Sequence, residues 1–288
     1  MLLVLNMPVQ HDEFLHDSLS LGNFRRLSQF VNDYSGIKMP DGKQTMLEGR
    51  LRRRLRVTGI NSLDDYCHFL FEQGGIDQEA IYLIDAITTN KTDFFREPAH
   101  FDYLQNVALP RLTAEGVTRL RAWSAACSIG AEPYTMAMTI ADYAERRGPL
   151  AYFILATDLC TDVLSNAKKG VYPLEMMATV PVSMQRKHVR VARASERAEV
   201  RIAPELRSQV GFARLNFMDE VYPVSEKMHV IFCRNVLIYF DRPTQEKVLS
   251  RLCDCLMPNG YLFIGHSESI TAFNLPVKTV ANTIFQKI

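Results

Sequence analysis

Hydrophobic periodicity changes once along the chain, near residue 88. Before that point the apolar positions recur at helical spacing. Phe24, Leu27, Val31 and Tyr34 line one face of a helix predicted over Leu19–Tyr34 and closed by Gly36. Leu47, Leu51 and Leu55, at i, i+4 and i+8, predict a second helix over Thr45–Val57. Leu63, Tyr66, Phe69 and Leu70 form a third apolar face, opened by Ser62 with Asp65 in the first turn. Ala80, Ile81, Ile84 and Ile87 predict a helix over Gln78–Ile87 with Asp77 as its cap. Helices joined by short turns imply a small helical domain over residues 19–88, preceded by a loosely tied arm over residues 1–18.

From residue 98 onward helical and strand patterns alternate. Pro98–Val107 reads as a helix, Arg119–Cys127 as a strand, Pro133–Arg147 as a helix, Leu150–Thr157 as a strand and Thr161–Lys169 as a helix. This order implies an α/β domain over residues 98–288, built on a mainly parallel, doubly wound sheet. Residues 171–205 interrupt the alternation. Val189 and Val191, then Val200 and Ile202, flank a polar turn near Ser195-Glu196 and read as an inserted β-hairpin. It is crowded with Arg186, Lys187, His188, Arg190, Arg193, Arg197 and Arg201, which make either a solvated hairpin or a docking surface. The sheet resumes with strands Val210–Asn216 and Met228–Cys233, a helix Thr244–Leu256 and a strand Tyr261–Gly265. Phe273–Ile288 supplies a final strand pair with an antiparallel edge.

The net charge of +1 over 288 residues gives no global field of the kind that marks a nucleic-acid binder. Six scattered cysteines form no CxxC and no zinc spacing, so they read as buried thiols in a reducing compartment, with no metal expected. The apolar start MLLVLNMPVQ lacks a basic leader, and no apolar run approaches the roughly 18 residues of a membrane span. A cytoplasmic protein, without nucleic-acid binding or membrane insertion and acting as a monomer, is the expectation. One local charge feature stands out. Arg50, Arg52, Arg53, Arg54 and Arg56 crowd the second helix with no acid after Glu48, so the like charges repel by about a few tenths of a kcal/mol per pair. That face is either solvated or awaits an acidic partner.

The candidate chemistry gathers around Trp123–Asp158. A strand, the turn Ser128-Ile129-Gly130, a helix opened by Glu132-Pro133, and a strand ending in Asp158 form one unit. The glycine lets a ligand approach backbone N–H groups, and an acid at the tip of the next strand accepts from a ribose. An ordinary strand–helix–strand unit with a capping acid fits equally well at this point. Polar groups also fall at other strand tips: Asn216-Phe217, Arg234-Asn235 and His266. The loop TTNKTDFFR over residues 88–96 is rich in hydrogen-bonding and aromatic side chains and reads as a linker (residues 89–97) that covers them. There is no GxSxG and no P-loop. Glu132 at a helix N-terminus repels phosphate, which favours S-adenosylmethionine over a dinucleotide.

With TTNKTDFFRE, CSIGAEPYT, ATDL, FCRNVLIYFD and PNGYLFIGHSES in this order, the sequence resembles the chemotaxis receptor methyltransferase family (CheR) from about residue 19 to its end. The resemblance implies methyl transfer from S-adenosylmethionine to glutamate side chains of receptor signalling helices, giving a methyl ester and S-adenosylhomocysteine. It implies cofactor contacts at Asn90, Thr92, Arg96, Glu132, Asp158, Asn216, Phe217, Arg234 and Asn235. Arg96 and Tyr239 are similar to residues near the transferred methyl, Arg96 orienting the glutamate and Tyr239 packing or hydrogen-bonding beside it. The family's usual GEEP is Gly130-Ala131-Glu132-Pro133 here, so its first acid is absent. Arg50, Arg53, Arg54 and Arg56 gain acidic receptor helices as partners. In some members the inserted hairpin captures a receptor's C-terminal pentapeptide by strand addition, with glycines around its turn. None lies between Lys187 and Arg201 here, which points to a tail-independent enzyme. A non-catalytic receptor adapter and a methyltransferase acting on another protein or a small molecule are the competing classes.

Overall fold

The computed structural model describes residues 17–191 and 198–288. The predicted arm lies outside these residues up to residue 16, as does the hairpin turn with Arg193, Ser195, Glu196 and Arg197. Contacts divide the chain into one unit ending at Thr88 and another beginning at Thr89.

The first unit is helical. In α1 (Leu21–Ser35) the Ser20 side chain accepts from the Asn23 N–H, and Gly36 closes the helix in the left-handed region at φ 74°. In α2 (Gln44–Thr58) Leu47, Leu51 and Leu55 are fully buried. Each such leucine contributes about 1.5–3 kcal/mol by leaving water. In α3 (Leu63–Glu72) the Asp65 N–H donates to Ser62 Oγ at 3.0 Å, and that hydroxyl donates to Asp65 Oδ2 at 2.7 Å. The fourth helix, α4 (Ile76–Ile87), departs from expectation. Gly75 is its N-cap, Asp77 sits inside the first turn, and Ile81 is exposed. Ile84 and Ile87 face inward as expected, joined by Glu79 and Leu83. The reason is electrostatic. Glu79 is drawn in to meet Arg54, at 3.0 and 2.7 Å, and the Tyr66 hydroxyl at 3.0 Å. The helix is therefore rotated towards a polar anchor that apolar periodicity does not register.

The second unit opens with α5 (Pro98–Tyr103), a π turn over Leu104–Ala108 and α6 (Leu109–Ala114). The helix runs past the expected end at Val107. Pro110 has no N–H to donate, and the widened turn carries the Leu109 N–H back to the Leu104 carbonyl. Then follow β1 (Arg119–Ala125), α7 (Ala131–Arg147), β2 (Ala151–Asp158), α8 (Thr161–Lys169), β3 (Val171–Pro173), α9 (Val182–His188), β4 (Val189–Val191), β5 (Glu199–Ile202), α10 (Pro204–Arg207), β6 (Val210–Arg214), β7 (Met228–Cys233), α11 (Arg242–Asp254), β8 (Leu256–Ile264), β9 (Val277–Ala281) and β10 (Ile284–Lys287).

Seven strands form the main sheet in the order β6-β2-β1-β7-β8-β10-β9. The first five pair in parallel, and β10 and β9 add an antiparallel edge. This is the doubly wound α/β arrangement the alternation predicts. The insertion is a second sheet of order β3-β5-β4 rather than a lone hairpin. Its third strand, Val-Tyr-Pro directly after Gly170, is too short to show alternation. β8 begins five residues before the expected Tyr261 and runs through Asn259 at φ 62°, where its register against β7 shifts. Aromatic packing centres on β7. Phe232 stacks on Phe263 at 4.3 Å between ring centroids and on Phe101 at 5.5 Å.

The strand order reverses between β1 and β7. From β1 the chain moves outward to β2 and β6, then returns to β7 on the other side. A crevice outside the carboxyl ends of β1 and β7 follows from that reversal.

Candidate active site

Residues in the left-handed region line this end of the sheet. After β1 the turn places Ala126 at φ 69°, Ser128 at φ 51° and Gly130 at φ 90°. The Ser128 N–H donates to Asp158 Oδ2 at 2.8 Å, and the Cys160 N–H donates to Oδ1 at 3.0 Å. Asp158, buried at the tip of β2, thus braces the turn after β1. Ser128 Oγ donates to the Asn90 carbonyl at 2.7 Å, which ties the preceding loop to the same turn. Gly130 also packs closely against neighbouring elements. A Cβ there would lie 2.9 Å from Ala167 Cβ and 3.0 Å from the Tyr172 hydroxyl. The missing side chain admits α8 and β3.

Glu132, in the first turn of α7, accepts from Ser124 Oγ at 2.6 Å and lies 3.4 Å from Arg234 Nη1. Burial raises its pKa above the ordinary glutamate range, and this outweighs the opposing pull of Arg234 and Ser124. The charge of Arg96 also acts on it.

Arg234 follows β7 and is almost wholly buried. Its Nη2 donates to Glu97 Oε2 at 3.0 Å and to the Arg96 carbonyl. Its guanidinium also lies over the Phe101 ring, 5.4 Å from the centroid. Its Nε is buried and has no hydrogen-bond partner among the described residues. Such an orphaned donor is costly unless something supplies an acceptor.

Glu97, in the sequence only the last residue of the linker, has more to do in the structure. It sits at φ 56° and accepts from Asn235 Nδ2 at 3.1 Å and the His266 N–H at 3.3 Å, besides Arg234. It therefore clasps the tips of β7 and β8. Burial works to raise its pKa, but the Arg234 charge and the Asn235 bond prevail and hold it below the ordinary range. Asn235, itself at φ 58°, is fixed from the other side by Glu268. The Glu268 carboxylate accepts from the N–H groups of Gly265 at 2.6 Å, Asn235 at 3.0 Å and Leu237 at 2.8 Å. Burial still raises its pKa. Left-handed non-glycine residues cost about 1–3 kcal/mol each, so several in one crevice mark a site held by its surroundings.

The remaining predicted residues lie as follows. Thr92 and Arg96 are half-buried, and Arg96 Nη1 donates to the Lys91 carbonyl at 3.0 Å. The aromatics of that loop have structural partners: Phe94 meets the Tyr172 ring edge-on at 5.0 Å, and the Phe95 N–H donates to Thr135 Oγ1 at 3.2 Å. Asn216 Oδ1 accepts from the Met218 N–H at 3.0 Å after β6. Phe217 is buried against Tyr222 and Phe240. Tyr239 is half-buried in the short 3-10 turn Leu237–Tyr239.

In the helical unit the arginine face needs a correction. Arg54 is not a free docking cation: it forks onto Glu79, with its side chain 14% exposed. Arg50 donates to the carbonyls of Ile87 and Thr88. The acid that neutralises Arg54 comes from α4, which a reading of α2 alone misses. Arg53 and Arg56 are exposed.

A parallel sheet with a β1/β7 switch point, a buried acid at the β2 tip and no glycine-rich phosphate loop defines the architecture of an S-adenosylmethionine-dependent methyltransferase. The family described as CheR methyltransferase, SAM binding domain, matches residues 90–285, and its all-alpha domain matches residues 22–88. The chemotaxis protein methyltransferase of Escherichia coli is 40% identical over 88% of this chain and 86% of its own length. That of Salmonella typhimurium is 39% identical over 91% and 90%, and that of Borreliella burgdorferi 38% over 89% and 91%. The chain belongs to the CheR methyltransferase family, and S-adenosylmethionine is its cofactor. Among the described residues no helix is long and apolar enough to cross a membrane.

Proposed function

We propose that this methyltransferase esterifies glutamate side chains on the cytoplasmic helices of chemotaxis receptors, the reaction of the protein-glutamate O-methyltransferases, and that it acts in the cytoplasm as a tail-independent monomer. The observation that carries the reading is the charge set at the switch point: buried Glu132 with its proton affinity raised, beside Arg234 with an orphaned Nε. A buried acceptor and a buried donor side by side match the ammonium and carboxylate of an amino-acid moiety such as the methionine part of the cofactor. A nucleotide phosphate fits this pair poorly. The relatives' chemotaxis role supports receptors as the substrate.

In this reading Glu132 takes the cofactor's ammonium and Arg234 its carboxylate, with Asp158 and the Ser128 turn on the ribose side. Asn90, Thr92, Asn216, Phe217 and Asn235 complete the binding surface. The cofactor supplies a sulfonium-activated methyl group. An ionised glutamate is nucleophile enough for it, so the chain needs no general base. With the cofactor bound, the glutamate oxygen would take the methyl group as the sulfonium became a neutral thioether, and no residue of the chain would have to move a proton. What the residues must do is hold the glutamate in line and exclude water. Arg96 orients the carboxylate, and Tyr239 packs beside the methyl. Arg53 and Arg56 steer the acidic receptor helix.

The test is transfer of labelled methyl groups to a receptor cytoplasmic fragment, with and without its C-terminal pentapeptide, alongside calorimetry with S-adenosylhomocysteine. A methyl ester is hydrolysed by mild base and releases volatile methanol. Base-labile label, an unchanged rate on the truncated fragment, and cofactor binding that weakens in Asp158→Ala are the expected results. Base-stable label would overturn the glutamate reading, and unchanged binding in the variant would overturn the cofactor placement.

A further inference from the structure

Three donor atoms converge beside the tips of β7 and β8. They belong to Glu97, His100 and His266 and lie within 4.8 Å of one another. His100 Nδ1 is 3.5 Å from Glu97 Oε2, and His266 Nε2 is 3.9 Å from the same oxygen. His100 is 1% exposed, and its Nδ1 has no hydrogen-bond partner among the described residues.

Hydrogen bonding accommodates a proton on His100 Nε2. The Thr283 hydroxyl has the Asn282 carbonyl as an acceptor at 2.8 Å. With its hydrogen there, its oxygen is free to accept from the His100 Nε2–H, also at 2.8 Å. The neutral ring then presents a bare lone pair at Nδ1, facing a carboxylate oxygen. Two acceptors face to face repel unless a cation lies between them. Arg234 approaches Glu97 Oε2 at 3.0 Å, which takes one lone pair of that oxygen and leaves the other.

We propose that Glu97, His100 and His266 form a binding site for a divalent transition-metal ion of the zinc class. The inference does not rest on the proposed function. Two imidazoles and one carboxylate suit zinc, whereas magnesium and calcium prefer all-oxygen sets. Tetrahedral bonds of about 2.0–2.1 Å place ligand atoms about 3.3 Å apart, close to the two distances found here. Only His266, 44% exposed, must swing inward, and it also opens the path from solvent. The Thr283 contact is the outer bond that orients a metal-binding imidazole. Because Arg234 shares the carboxylate, the ion binds more weakly than at a structural zinc site.

The test uses the full chain, stripped with chelator and without cofactor. It is titrated with Zn²⁺ by calorimetry and with Co²⁺ by visible absorption. One ion per chain is expected, with cobalt bands of low coordination number and no thiolate charge-transfer band. His266→Ala should weaken binding at least ~10-fold while its circular dichroism and melting stay native. Cys255→Ser, at the half-buried thiol, should leave binding unchanged. No saturable binding, equal affinity in His266→Ala, or loss in Cys255→Ser would overturn the site.

Discussion

Glu132 stands 3.4 Å from Arg234 Nη1, yet it holds a proton more readily than a free glutamate. Burial is the larger influence; Glu97 adds to it, and Arg234, Ser124 and Arg96 oppose it. A carboxyl with a raised pKa loses its charge on acidification before an ordinary one does. Cofactor affinity should therefore fall as the pH drops from neutral towards the ordinary glutamate range. Glu97, held below that range, stays ionised throughout this window. The effect on folding has the opposite sign. A raised carboxyl pKa favours the fold most below the unfolded pKa, and that contribution fades as pH rises through the folded one. Acid thus weakens binding through Glu132 without weakening the fold through it. Calorimetry against pH should show the decline in the wild type. A weaker, flatter profile is expected for Glu132→Gln, and an equally steep one would refute the assignment.

Removing the arginine itself has a different signature. The Arg234 side chain is 1% exposed and faces Glu97 and Glu132 together. Arg234→Met leaves both acids without their cation in a poorly solvated place. A loss of about 3–5 kcal/mol in urea denaturation is expected. Part should return at mildly acidic pH, where Glu132 takes up a proton. A loss below about 1 kcal/mol would show that other donors compensate.

How much of this was legible in the sequence depended on whether the signal was local. The strand–turn–helix unit from Trp123 to Asp158 could be read because its period, its Pro133 and its terminal acid are adjacent in the chain. The mainly parallel, doubly wound character of the sheet followed from alternation. Glu97 and Glu268 escaped notice because their roles exist only after folding. Each accepts bonds from residues more than 30 positions away, and neither sits in an apolar pattern that would flag it as buried. The packing at Gly130 was hidden for a related reason. Its positive φ was inferable, but not that α8 and β3 fill the space above it. The arginines of α2 were legible as a cluster, and their division into anchored and exposed members was not, since Glu79 lies 25 residues from Arg54.

That division is testable in one series. Arg54 forks onto a Glu79 whose side chain is only 9% exposed, so Arg54→Ala strands a buried carboxylate that keeps, among the described residues, the Tyr66 hydroxyl as its partner. About 2–4 kcal/mol of stability should be lost, read by thermal or urea unfolding. Arg53→Ala and Arg56→Ala should stay within about 0.5 kcal/mol of the wild type. In receptor methylation the ranking reverses. The Arg53 and Arg56 variants should lower kcat/KM several-fold at low salt, with the difference shrinking as salt screens the wild type. If Arg53 and Arg56 could be removed without changing either rate or salt dependence, the steering role would be lost and the face would be a solvated one.

Gly130 offers a test of what shapes the turn above the cofactor crevice. Its φ of 90° already disfavours a side chain, and a Cβ would meet Ala167 Cβ at 2.9 Å. Both atoms belong to rigid parts of the fold, one at a helix start and one inside α8, so neither yields cheaply. Gly130→Ala should cost about 2–4 kcal/mol, combining left-handed strain with overpacking. If packing is the larger part, pairing it with Ala167→Gly should recover some of the loss in spite of the added helix glycine. If the glycine instead served ligand approach, Gly130→Ala would fold with near-native stability and lose cofactor affinity alone. Unfolding curves and calorimetry on the same two variants separate these outcomes.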